Sequence, residues 1–334
     1  MYLKRRFGKL SEKIPFRWSF SRHRQFKICK RQYFYENYPE RCQKIMLASQ
    51  RYKDALSFSL ITYPESPEVT RKIKRIEHWI GEVVHKTIEH VIDTFLSDEI
   101  WLSEENAIDF ALRLTTEEWK ASLNHKNLDK EKMTGPILFE HYYNQPSEKF
   151  SDLEKAKKTV KTCIKQYFIF LTKHNIKRLQ KSCLLRIKNE QDSLFSLEGI
   201  PISVKIDFGI DDKKSKKICI YDFKTGKKSN NHKDQFLFYA LWAIHKMNKS
   251  RENISGGPVY LYPKYEYHPI TLSEVQLRNL KEEIAALYKE AESLHEALAN
   301  TEFPKNLFPK TNKTKLCFNC RFQKLCNNSF SKEP

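Results

Sequence analysis

Glycine is scarce, with 8 in 334 residues. Neither G-x-x-x-x-G-K-[ST] nor G-x-G-x-x-G occurs, which excludes the phosphate-cradling loops that rely on Cβ-free backbone. Long apolar runs are missing too. No stretch approaches the roughly 18–20 uncharged apolar residues of a membrane span. The opening stretch MYLKRRFGKLSEKIPFRW is basic but has no apolar h-region. It is therefore expected not to be a secretory signal, and the protein is expected to be cytoplasmic, with an organellar address left open by composition. No internal repeat is visible. Acidic residues are in deficit: 41 Asp+Glu stand against 60 Lys+Arg, a net charge of +19. That exceeds what solubility requires and points to a polyanionic partner, nucleic acid ahead of an anionic membrane surface.

What is present is a chain long enough for one large domain or two ordinary ones, 40% hydrophobic. Its eight cysteines, at 29, 42, 163, 183, 219, 317, 320 and 326, are uneven, with three inside ten residues. Without an export signal they read as reduced and metal-related rather than disulfide-bonded. Cys163, Cys183 and Cys219 read as buried thiols.

Periodicity divides the chain into four sections. Residues 1–70 are basic, with 11 Lys or Arg in residues 1–31 interleaved with Phe, Trp and Tyr, a mixture suited to single-stranded nucleic acid or to anchoring a helix. A helix is expected from a Ser21 N-cap to just before Pro39. Residues 71–180 read as helical, with segments at 71–97, 104–122 and 151–180. Residues 181–271 are rich in strands, interrupted by a helix over 233–247. Residues 272–334 combine an amphipathic helix over 272–299 with a cysteine-bearing tail. The expectation is one compact domain of mixed α/β (α+β) type with a central sheet flanked by helices.

The stretch ICIYDFKTGKK, residues 218–228, places Asp222 and Lys224 two apart on a strand, hence on one face. The polar turn DDKKSKK centres on Lys214. Asp207 lies seven residues before that centre and Asp222 eight after. An antiparallel hairpin therefore sets the two carboxylates nearly opposite each other. Two carboxylates beside an amine suit a hard divalent cation, Mg²⁺ or Mn²⁺, and phosphoryl chemistry. The competing reading is a structural ion pair at a sheet end.

With IDFG and IYDFKTG the sequence resembles the PD-(D/E)xK nucleases of the RecB type. The resemblance implies a restriction-endonuclease-like core and metal-dependent cleavage of DNA, single-stranded or at ends. It is carried further by KDQFLFY, whose Gln235 and Tyr239 match a helical Q-x-x-x-Y, and by GEVVH, whose Gly81 and His85 match an upstream helix with a metal-binding histidine. It implies that His85, Asp207 and Asp222 hold the metal and that Lys224 positions the attacking water. Gln235 and Tyr239 would orient the site. Val204 stands where the family often has Gly.

The tail offers C-x₂-C-x₅-C, and three thiolates need a fourth partner. In iron–sulfur members of the family that partner lies far upstream. The matching position here is Cys29, with Lys30 in place of a proline and Cys42 as runner-up. The resemblance thus implies a [4Fe–4S] cluster on Cys29, Cys317, Cys320 and Cys326, with Zn²⁺ as the competing ion. Such a site would supply folding energy to a tail of little apolar periodicity.

Among family members, the likeness is to CRISPR-associated RecB-like exonucleases and the nuclease domain of AddB. That allows a protein partner in a repair, adaptation or defence complex. The other function class is a non-catalytic nucleic-acid-binding subunit with a Cys₄ metal site. Glu198 is a possible extra acid but reads better as a turn residue, and Lys227, Lys228 and Lys233 are phosphate contacts or ordinary surface lysines.

Overall fold

The structure, a computed structural model, describes residues 17–42, 67–124, 135–143, 149–185, 187, 190–299, 301 and 304–328. Residues 1–16 of the basic N-terminal segment lie outside it. The chain forms two compact units. One takes the described residues of Met1–Lys72, Glu198–Ile202 and Asn279–Pro334; the other takes those of Ile73–Leu197 and Ser203–Arg278.

The N-terminal helix differs from expectation in two ways. It starts two residues earlier, because Ser19 rather than Ser21 is the N-cap and its hydroxyl accepts from the Arg22 N–H. It is also broken: α1 (Phe20–Ile28) and α2 (Lys30–Asn37) are separated at Cys29, whose backbone is extended at φ −158° and ψ 105°.

The larger unit holds the sheet. Helices α3 (Ile76–Asp98), α4 (Glu104–Leu123) and α5 (Lys149–Lys173) pack together through their apolar stripes, with Trp79 of α3 against Trp119 of α4. Ahead of α3, the expected helix over 71–97 is interrupted. Ile73–Lys74 runs extended and pairs in parallel with Ile137–Leu138. The expected helix over 151–180 ends at Lys173.

Five strands follow in chain order across the sheet: β1 (Leu184–Leu185), β2 (Phe208–Asp212), β3 (Lys217–Lys224), β4 (Ile254–Tyr260) and β5 (Glu266–Tyr267). Only β3 and β4 are parallel, joined through helix α6 (Asn231–His245) as a crossover. The sheet is therefore mixed, and the fold is mixed α/β. Alternation along β3 sorts its two faces. Tyr221 and Phe223 meet Tyr167 and Phe170 of α5, at ring distances of 4.9–5.3 Å. Ile218, Ile220 and Asp222 face the other way, and α6 packs against β3 and β4.

In the smaller unit, helix α7 (Glu274–Ala299) contributes its later turns. Lys30 pairs with Glu290, and His23 Nε2 lies 2.7 Å from Glu283 Oε1. Tyr33 and Phe34 of α2 stack on Phe308 of the tail, and Arg31 Nε donates to the Phe308 carbonyl. Short helices at Thr314–Phe318 and Gln323–Asn328 carry the tail cysteines. Cys163 is buried as expected, but Cys183 and Cys219 are only half-buried.

Candidate active site

The β2–β3 turn is closed by Asp212, whose carboxylate accepts from the Lys214 and Ser215 backbone N–H groups. That fixes the register from Asp212↔Lys217 to Phe208↔Tyr221. One step further, Asp207 falls opposite Asp222. There the ladder stops, and the Asp207 side chain substitutes for backbone: Oδ2 accepts from the Phe223 N–H at 2.9 Å. Asp222 and Lys224 lie on one face, as β3 alternation requires.

Two helices complete the site. From α3, His85 Nδ1 stands 3.3 Å from Asp207 Oδ1. Gly81, one turn earlier, lets the chain after β3 approach, since a Cβ there would lie 3.2 Å from Thr225 Oγ1. From α6, Gln235 Oε1 accepts from Lys224 Nζ at 2.9 Å, and Gln235 Nε2 donates to the Tyr239 hydroxyl at 2.6 Å. That hydroxyl lies 2.7 Å from the Lys205 carbonyl and 3.3 Å from Asp222 Oδ1. It has one proton, and the shorter distance gives it to Lys205.

Asp222 is 1% exposed. Its Oδ2 lies 2.6 Å from Lys224 Nζ but receives no hydrogen bond of acceptable geometry. The two facts agree if the amine is aimed at Gln235 and only its charge reaches Asp222. Burial pushes the Asp222 carboxyl up to about 7; Lys224 opposes this and Asp207 adds to it. Asp207 is partly buried, and His85, Lys224 and the Phe223 N–H together hold it below the ordinary carboxylate range against the desolvation that would raise it. For His85, burial works against the charged form, and Asp207 with Asp222 outweighs it, so its pKa is raised. The pair of carboxylates is thus split: one firmly ionised, the other on the edge of protonation.

All six expected residues, His85, Asp207, Asp222, Lys224, Gln235 and Tyr239, fall in one unit and form one connected set. Sequence reasoning missed the Phe223 N–H and the Lys205 carbonyl, which are backbone groups and carry no side-chain signature. Glu198 is an exposed turn residue with φ +50°.

Among the described residues, no three or more His, Cys, Asp or Glu side chains are arranged to hold a metal ion. Beside the carboxylates stand His85, 3.3 Å from Asp207, and Lys224, 2.6 Å from Asp222. The donor set nevertheless fits a hard divalent cation: a buried carboxylate oxygen without a hydrogen bond, an adjacent ionised carboxylate and an imidazole.

The four cysteines of the expected cluster also fall in one unit. Burial first, then Cys29, Cys326 and Cys317, push the Cys320 thiol up to about 11. Cys326 is raised by burial, with Cys29 and Cys317 adding to it and Arg31 and Lys310 opposing. Cys29 and Cys317 thus act on both Cys320 and Cys326. Cys42, the runner-up, is buried and raised to about 12 by burial alone.

Comparison with individually curated proteins gives no match. Comparison with protein families matches residues 17–327 to the PD-(D/E)XK nuclease superfamily, whose members are nucleases that usually employ Mg²⁺ or Mn²⁺. The match spans both units and every residue of the site. The chain belongs to the PD-(D/E)XK nuclease superfamily.

Proposed function

We propose that this chain is a metal-dependent deoxyribonuclease acting on single-stranded or end-bearing DNA as an exonuclease, in the manner of RecB-like enzymes. One observation carries the reading: Asp207, Asp222 and Lys224 converge on one buried spot with His85 on one side and the Gln235–Tyr239 pair on the other. His85, Asp207 and Asp222 are the residues that would hold Mg²⁺ or Mn²⁺. A cation held there would polarise a phosphoryl oxygen and lower the pKa of bound water. Lys224, held by Gln235, orients the attacking water and offsets charge that builds on the phosphate. Tyr239 holds Gln235 through its amide and anchors the pair to the Lys205 carbonyl. Cys29, Cys317, Cys320 and Cys326 would hold a [4Fe–4S] cluster, or Zn²⁺, with a structural role. The break between α1 and α2 supports this, because it leaves Cys29 outside helical geometry.

The test is incubation of anaerobically purified protein with end-labelled single- and double-stranded DNA in Mg²⁺, Mn²⁺ or EDTA. Cleavage is expected with metal only, and Asp222→Ala is expected to lower it by at least about 10²-fold while DNA binding persists. DNA binding without cleavage by the cluster-loaded wild type would leave a non-catalytic binding subunit as the correct reading. Absorbance near 400 nm in the same preparation separates iron–sulfur from zinc.

A further inference from the structure

Strands β3 and β4 are parallel and end together, with Lys224 beside Tyr260 in the register. Ligands of such sheets bind outside the carboxyl ends of the strands. The two loops that leave this edge, residues 225–230 and 261–265, are therefore the rim of the active site. They carry Lys227, Lys228 and Lys264, all exposed, and two aromatic rings, of which Tyr265 is half-buried and Tyr262 is 42% exposed.

The loop bearing Tyr262 is held at both ends. The Leu261 N–H donates to the Lys224 carbonyl at 2.8 Å. The Tyr265 N–H donates to Gln166 Oε1 at 2.7 Å, and the Tyr265 hydroxyl is 2.7 Å from His174 Nε2. The neighbouring loop is tied in as well: Lys228 pairs with Glu266 at 2.6 Å and lies over the Tyr260 ring. Three lysines against Glu266 leave the two loops and the start of β5 positively charged. An exposed ring on a fixed support loses little conformational freedom when something stacks on it. Tyr262 directly follows Leu261, whose N–H is bonded to the Lys224 carbonyl, so the ring is carried by the residue next to one joined to the end of β3.

We infer that Tyr262 is a stacking platform for an unpaired base next to the scissile phosphate, with Lys227, Lys228 and Lys264 tracking the flanking backbone. This rests on the active-site reading above and adds the feature that selects single strands. An unpaired strand offers a base face to a ring at every nucleotide, and stacking of this kind contributes without sequence preference. A duplex buries its base faces everywhere but at its two ends and along its length would meet only the lysines.

The experiment uses the full chain in EDTA, at raised salt, with fluorescein-labelled oligothymidylate and a blunt duplex of equal length as probes. Tyr262→Ala is expected to weaken oligothymidylate binding by about 5- to 100-fold and duplex binding by less than about twofold, while Tyr262→Trp restores single-strand affinity. Equal loss on both probes, no loss on either, or failure of Trp to restore would overturn the platform. A parallel Mn²⁺ cleavage arm keeps the two readings separate. Tyr262-dependent single-strand binding without cleavage removes the nuclease reading and leaves the platform standing. Metal-dependent cleavage with unchanged Tyr262→Ala binding does the reverse.

Discussion

At the scale of single residues, Asp222 stands out: it is 1% exposed yet sits at the centre of the site. Its carboxyl, pushed up to about 7 by burial, holds a proton in the folded state across a range where an unfolded aspartate, near 3.9, does not. Without metal, Asp222 therefore stabilises the fold most at low pH, and this contribution is lost as pH rises through 7. A divalent cation needs the ionised form and competes with that proton. The Mn²⁺-induced rise in melting temperature should thus be larger at pH 8 than at pH 6, and Asp222→Asn should abolish most of it at both. An equal Mn²⁺ shift at the two pH values would show that Asp222 is not a ligand. This residue pair was legible beforehand because DDKKSKK is a short turn between two apolar runs. Counting outward from its centre set Asp207 against Asp222 to within one residue, and the register agrees. What counting did not reveal is how Asp207 is fixed. Its anchor is the Phe223 N–H, and every residue but proline has one.

At the scale of elements, β4 is the part of the sheet most dependent on particular residues. Gly256 and Gly257 adopt φ of +137° and +152°, a region closed to L side chains. A Cβ at Gly256 would lie 1.9 Å from the Ile220 carbonyl oxygen of β3, and one at Gly257 2.3 Å from the His268 carbonyl oxygen. Backbone on both sides leaves nothing to rotate away. Gly256→Ala should cost at least about 3 kcal/mol by urea unfolding, with loss of soluble protein as the extreme case. Gly226→Ala, where a Cβ meets nothing within 4 Å, should stay within about 0.5 kcal/mol. Comparable losses at both positions would contradict the packing described for β4. The helices α3, α4 and α5 were readable from their apolar periodicity, because burial of one stripe is what stabilises them. The break at Cys29 was not. Nothing in FKICKRQY is a helix breaker, and the interruption accompanies tertiary bonds, such as Arg31 to the Phe308 carbonyl, that join residues far apart in sequence. The N-cap was misplaced for a similar reason. Ser19 and Ser21 are equivalent by type, but the Trp18 N–H donates to the Pro201 carbonyl, which fixes the chain's entry so that Ser19 takes the cap.

At the scale of the whole molecule, the net charge of +19 and the Tyr262 ring make different contributions to the same binding event. Lysines that neutralise phosphates release counterions, so their part of the affinity falls with salt, by a slope of about 0.7 per phosphate for single strands. Stacking releases no ions and does not change that slope. The logarithm of oligothymidylate affinity should therefore fall linearly with the logarithm of salt, losing at least about tenfold between 50 and 200 mM. Tyr262→Ala should displace this line downward and leave it parallel. Replacing Lys227 and Lys228 together by Ala should flatten it, by up to about 1.4 in slope if each contacts one phosphate. These are separable signatures, and a fluorescence titration at four salt concentrations distinguishes them. A Tyr262→Ala line that flattens as the lysine variant does would mean that the ring acts by placing its charged neighbours rather than by stacking. A line that is shallow for the wild type would mean that the basic surface does not serve nucleic acid at all.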